Sequence, residues 1–78
     1  MLKKEKKLII TYYTSDMAFA TEKACKDEKI EGKLISAPRK LSADCGISFA
    51  TDIENKDIMI TTLKKHNIEY DKICEMEV

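Results

Sequence analysis

Apolar and polar positions follow two different periods along this chain. Residues 7–13 are rich in Ile, Thr and Tyr and begin with a continuous apolar run, which predicts a central strand. Apolar residues then recur at helical spacing over 17–25, after the capping residues of 14–16. The pattern predicts a helix that ends near Lys29, with Gly32 in the following turn.

The middle of the chain returns to the period of two that is typical of strands. A short strand is predicted at 33–37 and a further strand at 46–50, with Pro38 ending the first. In the later strand Ile47 and Phe49 are predicted to face the core, and Ser48 to face away from it.

A second helix and a last strand complete the pattern. Residues 51–54 match a capping box, and Met59, Ile60 and Leu63 then form a buried helical stripe. Asn67 is predicted as a left-handed stop. A fourth strand is predicted at 68–76, with a bulge or an edge position near Asp71 and Lys72, where the alternation slips.

The predicted order is strand, helix, strand, strand, helix, strand. This order is typical of the α+β ferredoxin-like βαββαβ sandwich, a four-stranded antiparallel sheet with two helices on one face. We expect a frayed basic N-terminus over 1–6 and a single domain over 7–78.

Composition narrows the function classes. Apolar residues make up 44% and charged residues 36% of the chain, which indicates a globular protein. Apolar runs are too short to cross a membrane, and no signal-peptide pattern follows the first lysines, so we expect a cytoplasmic protein. Basic and acidic residues number 14 each, which argues against a nucleic-acid partner.

The three cysteines, Cys25, Cys45 and Cys74, do not form a disulfide framework, because their number is odd and no pair has CxxC spacing. With His66 as the only histidine, no metal site is predicted, and no cofactor. The helical spacing of Cys25 and the strand position of Cys74 predict that both are small buried apolar residues. Tyr12 and Tyr13 are expected to pack along the first strand.

Cys45 differs from the other cysteines because it lies in a predicted loop over 38–46. In a ferredoxin-like sheet of order 4-1-3-2, the start of strand 3 lies beside the end of strand 1. Cys45 should therefore lie near Thr14 and Ser15, at the N-terminus of the first helix. Unpaired amides and the helix dipole there favour an anion such as a thiolate.

Neighbouring residues suit the same chemistry. Arg39 is the only arginine in the chain and would supply a permanent forked cation. Ser42 adds a hydroxyl, and Gly46 allows a close backbone approach. Asp44 opposes thiolate formation unless its carboxylate points away. From the residues alone, Cys45 is either a reactive thiol or a structural residue, and Arg39 either a site cation or half of a surface ion pair.

The motif Pro38-Arg39-x-Leu41-Ser42-x-Asp44-Cys45-Gly46 resembles the signature of the selenium/sulfur carrier protein-like family of small bacterial proteins. The resemblance extends over about residues 8–73, with Asn67 where glycine is usual. It implies that Cys45 carries sulfur or selenium as a persulfide or perselenide. It also implies partners such as a cysteine desulfurase or a SirA-like sulfur carrier.

Two hypotheses follow. The first is a carrier or co-substrate protein, not an enzyme in the strict sense, with Cys45 as the thiolate. The anion would be held by Arg39, Ser42, Gly46, Thr14 and Ser15. The second is a non-catalytic protein- or ligand-binding module in which Cys45 is structural or redox-sensing. In either case an exposed edge strand would allow a homodimer.

Overall fold

The computed structural model of the protein describes residues 6–37 and 46–77. A single-turn 3₁₀ helix at Ile53–Asn55 precedes the second α-helix. The elements in chain order are β1 (Lys6–Thr11), α1 (Ser15–Asp27), β2 (Gly32–Ser36), β3 (Ile47–Asp52), α2 (Lys56–Lys65) and β4 (Lys72–Glu77). Of the segment predicted to be frayed, only Lys6 is described, and it is the first residue of β1.

The four strands form one antiparallel sheet in the order β2-β3-β1-β4. Its centre is the β1–β3 pair, whose register runs from Lys7 opposite Asp52 to Thr11 opposite Ser48. The element order and this strand order confirm the predicted α+β ferredoxin-like fold. β4 lies at an edge of the sheet, as the sequence pattern suggested.

One face of the sheet packs against both helices. Leu8, Ile10 and Phe49 point to this face from the two central strands and are fully buried. The helices cover them with small or flexible side chains, including Ala24 and Met59. The remaining members of the buried cluster are Tyr12, Ala18, Cys25, Leu63 and Ile68.

Neither described α-helix has the length and the apolar composition that a membrane-spanning helix needs.

The last strand begins later than the sequence pattern predicts. Ile68 does not start a strand but is buried against the helices, at 7% exposure, and β4 begins at Lys72. Thr11 fixes this starting point, because its carbonyl oxygen accepts from the Asp71 amide at 2.7 Å and its Oγ1 from the Lys72 amide at 3.1 Å. The slip in alternation therefore marks the entry into the strand.

The predicted capping box at 51–54 is wrong. Thr51 belongs to β3, and α2 begins only at Lys56. The Thr51 hydroxyl is used in tertiary contacts: it donates to the Glu31 carbonyl oxygen at 2.6 Å and accepts from Asn55 Nδ2 at 2.9 Å. A long-range hydrogen bond across the sheet edge has displaced the local one that the motif suggested.

Both α-helices end at a residue in the left-handed region. Asn67 has φ of 54°, which confirms the predicted stop after α2. After α1 the left-handed residue is Lys29, with φ of 58°, and not a glycine. Gly32 instead opens β2, where a Cβ would overlap the Phe49 ring and lie 2.9 Å from the Ala50 carbonyl oxygen. This glycine is required by packing.

We expect Gly32→Ala to lower the free energy of unfolding by about 1–3 kcal/mol, since the new methyl group must displace a fully buried aromatic ring. Urea denaturation followed by circular dichroism measures the change. Ser36→Ala, at an exposed position of the same strand, is the matched control and should shift the midpoint little. Equal midpoints for wild type and Gly32→Ala would contradict this packing constraint.

Candidate functional site

The predicted site divides between described and undescribed residues. Cys45, Arg39 and Ser42, together with the neighbouring Asp44, lie outside the described ranges, so their predicted roles stay predictions. Thr14, Ser15 and Gly46 are described. The structure therefore describes the elements on either side of residues 38–45.

The two residues that flank this segment are joined directly. The Ala37 amide donates to the Gly46 carbonyl oxygen at 2.9 Å, which extends the antiparallel pairing of β2 and β3. Gly46 is exposed and has φ of 74°, although a Cβ there would meet nothing within 4 Å. Its backbone conformation, and not a lack of space, favours glycine at the position after Cys45.

The register of the central strands brings the start of β3 to the end of β1. Thr11 and Ser48 form the last residue pair, and Gly46 lies two residues before Ser48. On β1, the chain enters α1 at Ser15, four residues beyond Thr11. The N-terminus of α1 and the residue bonded to Cys45 are thus at the same end of the sheet.

The start of α1 is one part of the predicted anion site that the structure describes. Thr14 occupies the N-cap with extended backbone angles of φ −136° and ψ 155°, but its side chain makes no capping hydrogen bond in the part of the chain that the structure describes. The sequence pattern had suggested such a cap. Asp16 in the first turn is exposed, so water screens its charge. Backbone amides in the first turn of a helix are the type of donor that binds an anion.

The aromatic residues near this end of the sheet differ in environment. Tyr12 is fully buried in the core, as predicted, whereas Tyr13 is 56% exposed, so its predicted packing along the strand is wrong. Phe19, in the second turn of α1, is 51% exposed. No role was predicted for Phe19, although an aromatic residue whose neighbours one helical turn away are polar is a signal visible in the sequence.

Cys25 is an inert core residue. It is 2% exposed, and its Sγ lies 3.6 Å from Met59 Sδ between the two helices. Burial raises the pKa of the Cys25 thiol to about 11. The predicted structural role is confirmed, because a thiol that remains protonated at neutral pH is a poor nucleophile.

Cys74 has a different environment. It lies in edge strand β4, opposite Ile9, on the sheet face that the helices do not cover, and it is half-buried. It is not a member of the buried cluster between the helices and the sheet. On the same face, Ser48 is fully buried, and its Oγ makes no hydrogen bond with any described residue.

His66 takes part in a surface hydrogen-bond cluster around Glu28, away from the N-terminus of α1. Its Nε2 lies 3.3 Å from Glu28 Oε2, to which Lys65 Nζ also binds at 2.8 Å. Hydrogen bonds from Lys65 and His66 lower the pKa of the Glu28 carboxyl group. Glu28 caps the C-terminal end of α1. Over the described ranges, no three His, Cys, Asp or Glu residues are grouped so as to hold a metal ion.

Comparison with known protein families shows where this chain belongs. The model of the family described as "Putative Se/S carrier protein-like" matches residues 7–75, which is nearly the whole chain. No curated protein and no solved structure matches the sequence.

A variant that retains only Cys25, with Cys45→Ser and Cys74→Ser, should react with a disulfide reagent such as Ellman's reagent far more slowly than a free thiol. The reason is its burial together with its raised pKa of about 11. The measurement is the absorbance change under native conditions, with the urea-unfolded variant as the control for full reactivity. Rapid native labelling would contradict the buried position.

Proposed function

Because the chain belongs to the Se/S carrier protein-like family, we propose that it carries sulfur or selenium as a persulfide or perselenide on Cys45. In this function the protein is a co-substrate: a donor loads the thiol and an acceptor unloads it. A cysteine desulfurase is the proposed donor, because it holds sulfane sulfur on its own cysteine. A SirA-like carrier is a second partner of the same chemistry.

Loading is a thiol exchange reaction. The Cys45 thiolate attacks the outer sulfur of the donor persulfide, a new bond forms between Cys45 Sγ and that sulfur, and the donor Sγ–S bond breaks. The donor cysteine leaves as a thiolate, and the proton of the outer sulfur stays with it on Cys45. No net oxidation occurs, and a selenium atom in place of the outer sulfur follows the same balance.

The observation that carries the proposal is the position of the first-turn amides of α1. Cys45 is bonded to Gly46, and Gly46 lies at the end of the sheet where α1 begins. The Thr14 side chain does not cap these amides within the described part of the chain. A helix N-terminus is among the environments that lower a cysteine pKa and favour the reactive thiolate.

Arg39 and Ser42 complete the proposed anion site. A guanidinium group six residues before the thiol would neutralise the thiolate and the terminal chalcogen of a persulfide. The Ser42 hydroxyl would donate a hydrogen bond. The Asp44 carboxylate must point away, since a second negative charge beside the sulfur would raise its pKa.

The proposed mechanism requires no general base. His66 lies against Glu28, beyond the C-terminal end of the 13-residue helix α1. Such a helix is about 20 Å long, so this histidine lies far from the thiolate site at the other end. A thiol that is already ionised can attack a persulfide directly.

The proposed function predicts first that Cys45 is the loading position. Incubation with a cysteine desulfurase and L-cysteine should add the mass of one sulfur atom to the wild type, and Cys45→Ser should remain unmodified. Intact-mass spectrometry under non-reducing conditions measures the addition. The matched controls are Cys25→Ser and Cys74→Ser, which should still be loaded. The carrier function would be refuted if the wild type gained sulfur neither from the desulfurase nor from inorganic polysulfide.

The second prediction concerns ionisation. The rate of Cys45 alkylation by iodoacetamide should rise with pH, because only the thiolate reacts, and its midpoint should lie below the value of about 8.5 for a free thiol. Arg39→Ala should move the midpoint upward, since removal of the cation destabilises the thiolate. The experiment uses a variant with Cys74→Ser to isolate one accessible thiol.

Lys33→Ala removes a cation from exposed edge strand β2 and is the matched control for Arg39→Ala. A midpoint at or above that of a free thiol, unchanged in Arg39→Ala, would favour the alternative in which Cys45 is a structural residue of a binding module.

A further inference from the structure

The outer edge of β2 has no neighbouring strand in the part of the chain that the structure describes. β2 is a terminal strand of the sheet and pairs on its inner side with β3. Gly32, Lys33 and Ser36 are exposed, and Leu34 and Ile35 are half-buried. An open edge of this kind presents backbone N–H and C=O groups with which a further strand can pair.

The hydrogen bonds to β3 determine which backbone groups of β2 point outward. Ala37 continues the β2–β3 register opposite Gly46, and its amide donates to the Gly46 carbonyl oxygen at 2.9 Å. Along an antiparallel strand, residues that bond to the neighbouring strand alternate with residues that do not. The odd-numbered residues of β2 therefore bond to β3. The N–H and C=O groups of Gly32, Leu34 and Ser36 point to the open edge.

The two edge strands of the sheet differ in charge. In β4, Lys72, Glu75 and Glu77 are charged, and the two glutamates project from the same face because they are two residues apart. Charged side chains protect an edge strand from pairing, and two like charges repel a second copy of the same edge. In β2 the only charged residue is Lys33. The open edge that accepts a further strand is therefore that of β2.

A second copy of β2 closes this edge. If β2 paired with β4 of another copy, each end would keep a free edge and a filament would grow, whereas two β2 strands related by a twofold axis form a closed dimer. Such an axis at Leu34 places Leu34 opposite its own counterpart, and Gly32 opposite Ser36 of the other copy. All the outward backbone groups then exchange hydrogen bonds.

The charges select this register over its neighbours. With the axis at Leu34, Lys33 lies opposite Ile35 of the other copy on the sheet face away from the helices. An axis at Lys33 would oppose two ammonium groups, which is destabilising. An axis at Ile35 would leave the outward groups of Gly32 without a partner within the paired strands.

We propose that the protein forms a twofold homodimer through the outer edge of β2, with the axis at Leu34, so that two sheets join into one. This inference is independent of the proposed carrier function. The half-buried Leu34 packs against the core of its own copy and would also contact its counterpart. Because the paired strands have only five residues each, we expect a dissociation constant in the micromolar range or weaker.

Sedimentation velocity over a range of protein concentrations measures the dimer. A reducing buffer excludes disulfide-linked species. Wild type should sediment as the 8.9 kDa monomer at low concentration and shift towards twice that mass as the concentration rises to about 1 mM.

Two substitutions at Ile35 test the register. Ile35→Glu would place a carboxylate opposite Lys33 at two symmetric positions, and Ile35→Lys would place an ammonium group there. Both variants remove the same half-buried aliphatic side chain, so each is the matched control of the other. We expect Ile35→Glu to dimerise about tenfold more tightly than Ile35→Lys, since two cross-strand pairs change from repulsive to attractive. High salt should reduce the difference.

Ser36→Pro tests the edge itself. Proline removes the outward N–H of Ser36 and leaves the bonds of β2 to β3 in place, as is usual for proline in an edge strand. We expect the dimer to weaken about tenfold or more. Ser36→Ala keeps the N–H and is the matched control, with an affinity within about twofold of wild type. Circular dichroism and urea denaturation establish that each variant is folded.

A wild type that remains monomeric up to about 1 mM would overturn the proposed dimer. A dimer that folded Ser36→Pro leaves unchanged would overturn it as well, because the contact would then lie elsewhere on the molecule. If Ser36→Pro does not fold, the pair of Ile35 variants decides. An affinity of Ile35→Glu that is no higher than that of Ile35→Lys contradicts the proposed pairing of Lys33 with residue 35.

Discussion

The pairing of β1 with β3 sets the orientation of the core side chains. These strands are the two central strands, and their register places Leu8, Ile10 and Phe49 on the face that both helices cover. A slip by one residue would turn these side chains to the opposite face. The same register sets the start of β3 beside the end of β1. This register therefore forms the core and brings Gly46 to the end of the sheet where α1 begins.

The helix packing gives the two described thiols different chemical environments. Cys25 is held between the helices against Met59, where burial raises its pKa to about 11 and removes it from thiol chemistry at neutral pH. Cys74 lies at the sheet edge on the other face. The proposed carrier function requires one thiol that reacts without competition from Cys25, and the burial of Cys25 removes that competition.

One exposed aromatic side chain and one buried hydroxyl group are unfavourable for the packing of their own elements. Phe19 exposes half of its ring on the polar side of α1, and the Ser48 hydroxyl is buried without a hydrogen bond to any described residue. A buried hydroxyl group without a partner costs about 1–3 kcal/mol. Both residues belong to elements that meet at the end of the sheet where α1 begins and Gly46 precedes β3. Departures from local consistency are expected near a functional site.

The element order, the edge position of β4, the left-handed stop at Asn67 and the core role of Cys25 were predictable, because these follow from hydrophobic period and turn chemistry. The starts of α2 and β4 depend on tertiary contacts. Thr51 and Thr11 hydrogen-bond to residues distant in the chain, and a sequence pattern reports only local partners. Tertiary contacts likewise determine that Gly32 serves packing against Phe49 and that Tyr13 is exposed. The family match covers residues 7–75, which include the motif around Cys45, and the β1–β3 register brings its neighbour Gly46 to the end of the sheet where α1 begins.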